Sequence, residues 1–386
     1  MQLRPRTSSV HVRARHSGAW RLAATVSVLA AAIAAGASAP AGSTAAAAPA
    51  PGEFYGIATS TALTPKDFMR LARANIHTVR IIMYWPAIQT GAGRPYHWNA
   101  FDGAVINASY AGIRLIPTVI GTPRHLSEAP FRPPLDSDAE RAEWQRFLRA
   151  AVERYSDGGG FWEEVYACNG GHCHPSLPYR PLNTWQVWSE PNLGYFWQPA
   201  PSPSEYAQLL RLGGNAIHAA DPGAEVVTGG VMPGRGKNSI PQREFVASLY
   251  QFPGITQSFD GLALQPFTRK PRGIARRVKK LRVLTQAFGD GGVPLWVTEM
   301  GWSTKGPRDH YLVTNRKGQA KRLSRSYKML ARMREPYGIE MASWFTFRDG
   351  WSKGYCDWCK GAGLLTKKRK PKPAWKRYAK LAGGKP

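Results

Sequence analysis

From residue 53 onward the chain repeats one pattern: a short β-branched, aliphatic or aromatic run, then an amphipathic segment, then another run. The runs predict strands at 54–58, 78–83, 114–119, 184–188, 225–228, 261–264, 295–298 and 340–345. Helices are predicted at 65–74, 138–155, 204–220, 274–288 and 319–333. The first follows Thr64, an N-cap residue type, with Pro65 at its first position. In the second, Trp144, Phe147, Leu148, Ala151 and Val152 recur at helical spacing and form one apolar face. The third begins at Ser204 and stops before Asp221-Pro222-Gly223; the last two are basic with an apolar stripe. Strands alternating with helices imply a parallel sheet. Eight strands favour an α/β fold of the closed (β/α)8 type, a TIM barrel, over an open doubly wound sheet. The open alternative would carry a G-x-G-x-x-G turn after its first strand. The chain there reads Phe54-Tyr55-Gly56-Ile57-Ala58-Thr59-Ser60, and no phosphate-binding P-loop occurs, which weakens every nucleotide-binding reading.

The residues before this pattern are different in kind. Arg4, Arg6, Arg13, Arg15 and Arg21 lead into an apolar run at 22–35, and Ala35-Gly36-Ala37 fits a cleavage site. This predicts a secretory signal peptide at 1–37, an Ala/Pro-rich lead-in at 38–52 and one catalytic-type domain at 53–386. The apolar run is shorter than the ~20 residues a membrane span needs, so a secreted chain with no membrane anchor after cleavage is expected. Composition excludes disorder as the main state: 14 Trp, 15 Tyr and 14 Phe are too many for a solvated coil. The 52 basic against 25 acidic residues give a formal net charge of +27, and the leader takes away only arginines. That sign admits anionic polymers as partners. No RNA-binding or helix-turn-helix signature is visible, so no specific nucleic-acid partner is expected. The basic run at 367–370 reads first as a solvated face.

Export also bears on the four cysteines. Cys168 and Cys173 lie in CNGGHCH, Cys356 and Cys359 in CDWC. Two disulfides are expected, with three connectivities open. The rival is a zinc site drawing on these cysteines with His172 and His174. The segment 156–183 joins a helix to the fourth strand and should emerge opposite the barrel mouth, so each cysteine is expected to pair with its near neighbour.

Chemistry in a (β/α)8 barrel sits where the strands end. Glu190 closes Trp185-Gln186-Val187-Trp188-Ser189-Glu190, and Glu299 closes Leu295-Trp296-Val297-Thr298-Glu299. These are strands four and seven, whose ends face each other across the mouth. Glycoside hydrolysis needs such a pair, one carboxyl protonated to serve the leaving oxygen and one ionised to attack the anomeric carbon. Taken singly, either glutamate would read as a surface carboxylate. Trp85, Trp188, Trp302, Trp344 and Trp351 lie at or beyond strand ends, and Tyr195, Phe196 and Trp197 follow the first glutamate. Each alone is ordinary core; as a set they predict a cleft whose rings stack on sugar faces. Arg80, a charge inside an apolar strand, predicts a buried partner such as Glu299, the bland reading being a structural ion pair.

At these residues the sequence resembles the retaining (β/α)8 glycoside hydrolases of clan A, which include the family 5 cellulases and family 39 xylosidases. The resemblance covers nearly all of 53–380. It is carried by Val79-Arg80-Ile81, Trp188-Ser189-Glu190-Pro191-Asn192, Val227-Thr228-Gly229-Gly230, Thr298-Glu299-Met300-Gly301-Trp302 and Lys372-Pro373-Ala374-Trp375. It implies Glu190 as acid/base, Glu299 as nucleophile, and Arg80 and Trp344 as site residues; Trp85, Ser189, Asn192, Gln265, Phe267 and Trp302 complete the expected substrate-binding set. Two departures stand out. Ser189 occupies the place of an asparagine that binds the sugar 2-hydroxyl, and Gln265-Pro266-Phe267 stands where His-Pro-Tyr is common, so the tyrosine that donates to the nucleophile is missing. The implied activity is a secreted glycosidase cleaving a β-linked oligosaccharide or polysaccharide by a retaining two-glutamate mechanism, with no metal or organic cofactor. The alternative is a carbohydrate-binding barrel of weak or no activity, associated with anionic cell-wall polymers.

Overall fold

The computed structural model describes residues 50–386 apart from 60, 170 and 351–355. The predicted signal segment, most of the lead-in and Trp351 therefore lie outside the described residues. The strands are β1 Tyr55–Thr59, β2 Thr78–Tyr84, β3 Arg114–Ile120, β4 Thr184–Val187, β5 Glu225–Thr228, β6 Leu262–Leu264, β7 Leu295–Met300 and β8 Ile339–Phe345. The helices are α1 Pro65–Arg73, α2 Trp85–Ile88, α3 Asn99–Tyr110, α4 Asp138–Tyr155, α5 Gly160–Ala167, α6 Pro203–Ala220, α7 Gln242–Tyr250, α8 Pro271–Ala287, α9 Arg316–Tyr337 and α10 Pro373–Ala382. All the ladders are parallel, running from β1 through to β5 and from β6 to β8, with β8 against β1. The seam between β5 and β6 is closed by bridges pairing Val227 with Gly261 and Val231 with Leu264. There the Thr228 and Val231 amides donate to the Gly261 and Ala263 carbonyls at 2.9 and 3.2 Å. The result is the (β/α)8 barrel that the alternation predicts. No helix among the described residues is long and apolar enough to cross a membrane.

Local chemistry explains the element boundaries. The Thr64 side chain accepts from the Asp67 amide while Asp67 reaches back, a full capping box on α1. Helix α6 starts earlier than the sequence suggests, because Ser202, not Ser204, accepts the Glu205 amide and Pro203 takes the first helical position. Asn315 caps α9 in the same way, so that helix also begins before its predicted start. Helices α2, α3, α5, α7 and α10 have no counterpart in the predicted set. Most are short, and packing rather than a long periodic stripe holds them. Helix α5 lies inside the segment 156–183, burying Phe161, Trp162 and Val165.

The barrel interior is layered. At its base Arg114 pairs with Glu225 (2.7 Å) and lies near Glu340, with its guanidinium 5.2 Å from the centre of the Trp296 ring. Trp296, Ile116, Val227, Ala263 and Met341 form the apolar middle. Above them sits a polar layer built on Arg80. The remaining apolar residues pack between strands and helices as one continuous core, so the barrel is filled with side chains.

Two disulfides pair Cys168 with Cys173 and Cys356 with Cys359, as the near-neighbour reading expects. All four thiols are consumed, which removes the zinc reading. The bridges sit at opposite ends. Residues 178–183, beyond the first, line the base with Arg114, Glu225 and Glu340. The second braces the segment after β8 that carries Trp358.

Candidate active site

Both glutamates reach the barrel mouth through a break in strand alternation. Along β4, Gln186 points inward and Val187 outward toward α6. Strict alternation would send Trp188 inward. Instead Trp188 has φ +70° and Glu190 φ +51°, both left-handed. Such backbone costs about 1–2 kcal/mol at a residue with a side chain, and the surroundings hold it. The Trp188 ring packs outward against Trp144 and Trp197, its indole donating to the Phe196 carbonyl at 2.7 Å. Ser189 then turns inward, and the Glu190 amide is tied to the Gly230 carbonyl (3.2 Å). Gly230 has no alternative there: a Cβ would fall 2.6 Å from Thr298 Oγ1 and 2.7 Å from Gln265 Cγ.

On β7 the device is a β-bulge. Val297 pairs with Ala342, but Met300 pairs with Trp344, so three steps on β7 match two on β8. The extra residue re-aims a side chain. Trp296 and Thr298 face the barrel interior, and Glu299, which alternation would turn outward, joins them. Its Oε1 accepts from Arg80 Nη1 at 2.6 Å. Arg80 is 1% exposed and Glu299 8%. The other two edges of the guanidinium are also engaged, Nε with Gln186 Oε1 and Nη2 with Ser189 Oγ at 3.0 Å. Gln186 is fixed in turn by Thr118 Oγ1 (2.9 Å) and by its own donation to the Thr228 carbonyl (2.8 Å). Arg80 is therefore held on three sides and presents one fixed fork to the carboxylate.

The electrostatics separate the two acids. Burial and the neighbouring Glu299 charge push Glu190 well above the usual carboxyl range, with Arg80 opposing. Burial also raises Glu299, but the Arg80 charge and hydrogen bond oppose it directly. Removing water disfavours any carboxylate, and a bonded guanidinium restores it. Of the two, Glu190 is the one driven further toward its neutral form, and Glu299 the one that Arg80 draws back toward its charged form.

The other predicted site residues divide into two groups. Ser189 and Gln265 are at the mouth: Ser189 Oγ accepts from Arg80 and, at 3.3 Å, from Gln265 Nε2. With both acceptor positions filled, its O–H is left to donate. Phe267 is also there, against Phe345 and Trp358. Asn192 is not: it is fully buried, bonds the Met232 amide and the Met232 and Ile240 carbonyls, and braces the β4 and β5 loops together. Trp85, Trp302 and Trp344 are likewise fully buried rather than open to a ligand. Trp85 stacks on Phe147 and donates to Gln89; Trp302 donates to the Thr268 carbonyl; Trp344 donates to the Ala362 carbonyl. Met341, Ser343 and Phe345 share the inner face of β8 by alternation, so Phe345 takes the position that sequence reasoning gave to Trp344.

Several site residues were not singled out from sequence. Thr118, Gln186 and Thr298 are polar residues inside apolar strands, the same signal that marked Arg80. Trp358, half-buried beside Phe267 and Phe345, lies beyond any strand and carried no such signal. Gln265 Oε1 and Thr298 Oγ1 are buried without a hydrogen-bond partner among the described residues. Among those residues no group of three or more His, Cys, Asp or Glu is placed to hold a metal ion.

This barrel is of the class found in glycoside hydrolases. The chain is similar in structure to a family 39 glycoside hydrolase from Bacteroides cellulosilyticus (TM-score 0.65, 17% identity), over 86% of this chain and 64% of that one. It is similar to a family 5 glycoside hydrolase from Streptomyces cattleya (TM-score 0.59, 14% identity), over 83% and 74% of the two chains. It is also similar to a family 10 endoxylanase from a sugarcane soil metagenome (TM-score 0.58, 16% identity), over 85% and 97%. The chain thus spans just under two thirds of the family 39 protein. No protein-family model and no curated protein matches the sequence. At these identities the likeness establishes the fold, and the resemblance to clan A seen in the sequence holds at that level.

Proposed function

We propose that this chain is a secreted glycoside hydrolase that cleaves a β-linked glycan with retention, using Glu190 as acid/base and Glu299 as nucleophile. The observation that carries the reading is the unequal pair at one barrel mouth: a carboxylate clamped by Arg80 beside a carboxyl held neutral by burial. Glu190 donates its proton to the glycosidic oxygen as that bond breaks, and Glu299 attacks the anomeric carbon to form a glycosyl ester. Glu190, now a carboxylate, takes a proton from water, whose oxygen displaces Glu299 and releases the sugar. Arg80 keeps Glu299 ionised and oriented throughout. Gln265, Thr298 and the Ser189 hydroxyl offer hydrogen-bond positions for sugar hydroxyls. The fold neighbours and the disulfides support the reading of an exported glycosidase.

A second reading is a glycan-binding barrel with weak turnover. It rests on Phe267, which brings no hydroxyl to Glu299, and on Ser189, whose acceptors are already occupied. One experiment separates the two: a panel of β-glycosides followed by NMR of the anomeric proton, with wild type and Glu299→Gln side by side. Glu299-dependent release of the β-anomer supports the hydrolase. Release of the α-anomer defeats retention. Binding without Glu299-dependent turnover leaves the binding barrel.

A further inference from the structure

Beside the mouth, the loops after β5 and β6 and the start of α8 enclose a groove of about 430 Å³. It is lined by Arg235, Arg269, Lys270, Arg272, Arg276 and Arg277. None of these is ion-paired with a carboxylate among the described residues. They repel one another instead: burial and then the Arg235 charge hold Arg277 below the ordinary guanidinium range, with Arg276 adding to the effect. Helix α8 has no acidic residue in its first turn but has Arg272 there, the reverse of what the helix dipole favours. Both arrangements cost stability, and both add positive potential to the same concavity.

The groove borders the loop that follows β6. Thr268, on its wall, lies three residues beyond Gln265 and accepts the Trp302 indole N–H at 2.8 Å. A line of rings joins the two places. Phe267 meets Trp358 at 5.2 Å, Trp358 lies parallel to His310 at 6.0 Å, His310 stacks on Tyr311 at 4.9 Å, and Arg235 lies 6.0 Å from the Tyr311 ring. Trp358, His310 and Tyr311 are all half-buried. Flat rings suit the C–H faces of sugars, and guanidinium forks suit oxyanions bidentately.

We infer that this groove is a subsite for an acidic glycan, binding carboxylate- or sulfate-bearing sugar units while a neighbouring unit occupies the catalytic mouth. This rests on the hydrolase reading for the identity of the mouth. A second basic groove, of about 580 Å³, is lined by Lys317, Lys321, Arg325 and Lys328 of α9 and by Arg377 of α10. It lies on the outer helical layer without a ring path to the site, and serves as a charge-matched control.

The test is calorimetric binding in the full chain carrying Glu299→Gln, which prevents turnover. The probes are a uronate hexasaccharide, its carboxyl-reduced counterpart, a uronate-free hexasaccharide bearing sulfate esters, and an oligonucleotide of equal charge. Carboxyl reduction is expected to weaken binding at least about tenfold. R235A/R272A/R276A should weaken the acidic probe by a similar factor and lower its salt dependence, while K317A/K321A/R325A changes it less than about twofold. Thermal stability of the groove triple should be unchanged or higher, since repulsion is relieved. Preference for the uronate or the sulfated probe identifies the source of the anion. Equal binding of the reduced probe, equal losses in both triples, or an oligonucleotide that competes as well as the glycan would overturn the proposal. If the groove passes and no glycan is turned over with Glu299 dependence, the hydrolase reading falls and the subsite stands. Glu299-dependent cleavage of neutral glycans by a groove-indifferent enzyme gives the reverse.

Discussion

The ends of β4 and β7 deliver the same residue to the same cavity by opposite means. At β7 a bulge swings Glu299 onto a guanidinium that is already fixed on its other edges. At β4 two left-handed residues bring Glu190 beside that pair, where burial and the Glu299 charge push its carboxyl well above the usual range. The difference shows that two chemically identical acids are driven apart by their neighbours. A carboxyl with a bonded arginine is drawn toward its charged form; one that meets burial and a negative charge is drawn toward its neutral form.

The sharpest way to break this comparison is to make the two acids alike. Glu299→Gln should lower kcat by about 10⁴-fold or more on every substrate, because no other group forms the ester. Glu190→Gln should cost about 10²–10⁴-fold on alkyl glycosides but far less on dinitrophenyl glycosides, whose leaving group needs no proton. Equal sensitivity of both variants to the leaving group would contradict the assignment.

The pH profile comes next. Activity should fall at high pH as Glu190 loses its raised proton, so the basic limb lies well above the ordinary carboxyl range. It should fall at low pH as Glu299 is protonated. Arg80→Met removes the opposing charge, moves the acidic limb upward and lowers kcat by about a hundredfold or more; an unmoved acidic limb would show that Arg80 does not govern Glu299.

Stability should respond with opposite signs. Glu299→Gln weakens the partner of a buried guanidinium and is expected to cost about 3 kcal/mol in denaturant unfolding. Glu190 binds its proton more tightly in the fold than in the unfolded chain, so its contribution to stability declines as pH rises from about 4.3 through the raised folded value. Glu190→Gln escapes that decline. Its melting temperature should match wild type near pH 4 and exceed it increasingly toward neutral pH.

The smallest effect sharpens the comparison. Phe267→Tyr places a hydroxyl among Phe345, Trp358 and the mouth. If the O–H reaches Glu299, kcat should rise up to about tenfold and the acidic limb should move down, because a charge-directed hydrogen bond is worth about 1.5–3 kcal/mol.

Much of this was legible in the chain. Alternation and β-branched runs mark all eight strands, since each is buried on both faces. Arg80 stands out because a lone charge in such a run demands a partner, and the structure provides Glu299. The lost detail is of two kinds. Periodicity assumes an unbroken pleat, so it does not show how Glu190 and Glu299 turn inward at the breaks after β4 and in β7; on β8 the resemblance gave Trp344 as the site residue, while alternation along the strand puts Phe345 on the inner face. Residue type also says nothing of burial on the outer side. Trp85 and Trp302 look like ring platforms but are packing residues, and Asn192 looks like a ligand group but holds two loops. Trp358 carries no strand signal because it sits in the loop closed by the Cys356–Cys359 bridge, which follows the last strand.

The irregularity in β7 has a wider meaning. Because Glu299 faces inward only through one surplus residue, the reactive geometry depends on a count of residues as much as on which residues are present. Deleting one position between Val297 and Met300 would keep the apolar frame and nearly the whole composition while turning the carboxylate toward the helices. Gain or loss of chemistry in such a scaffold is then a change of length by a single codon, invisible to any comparison that scores only residue identity.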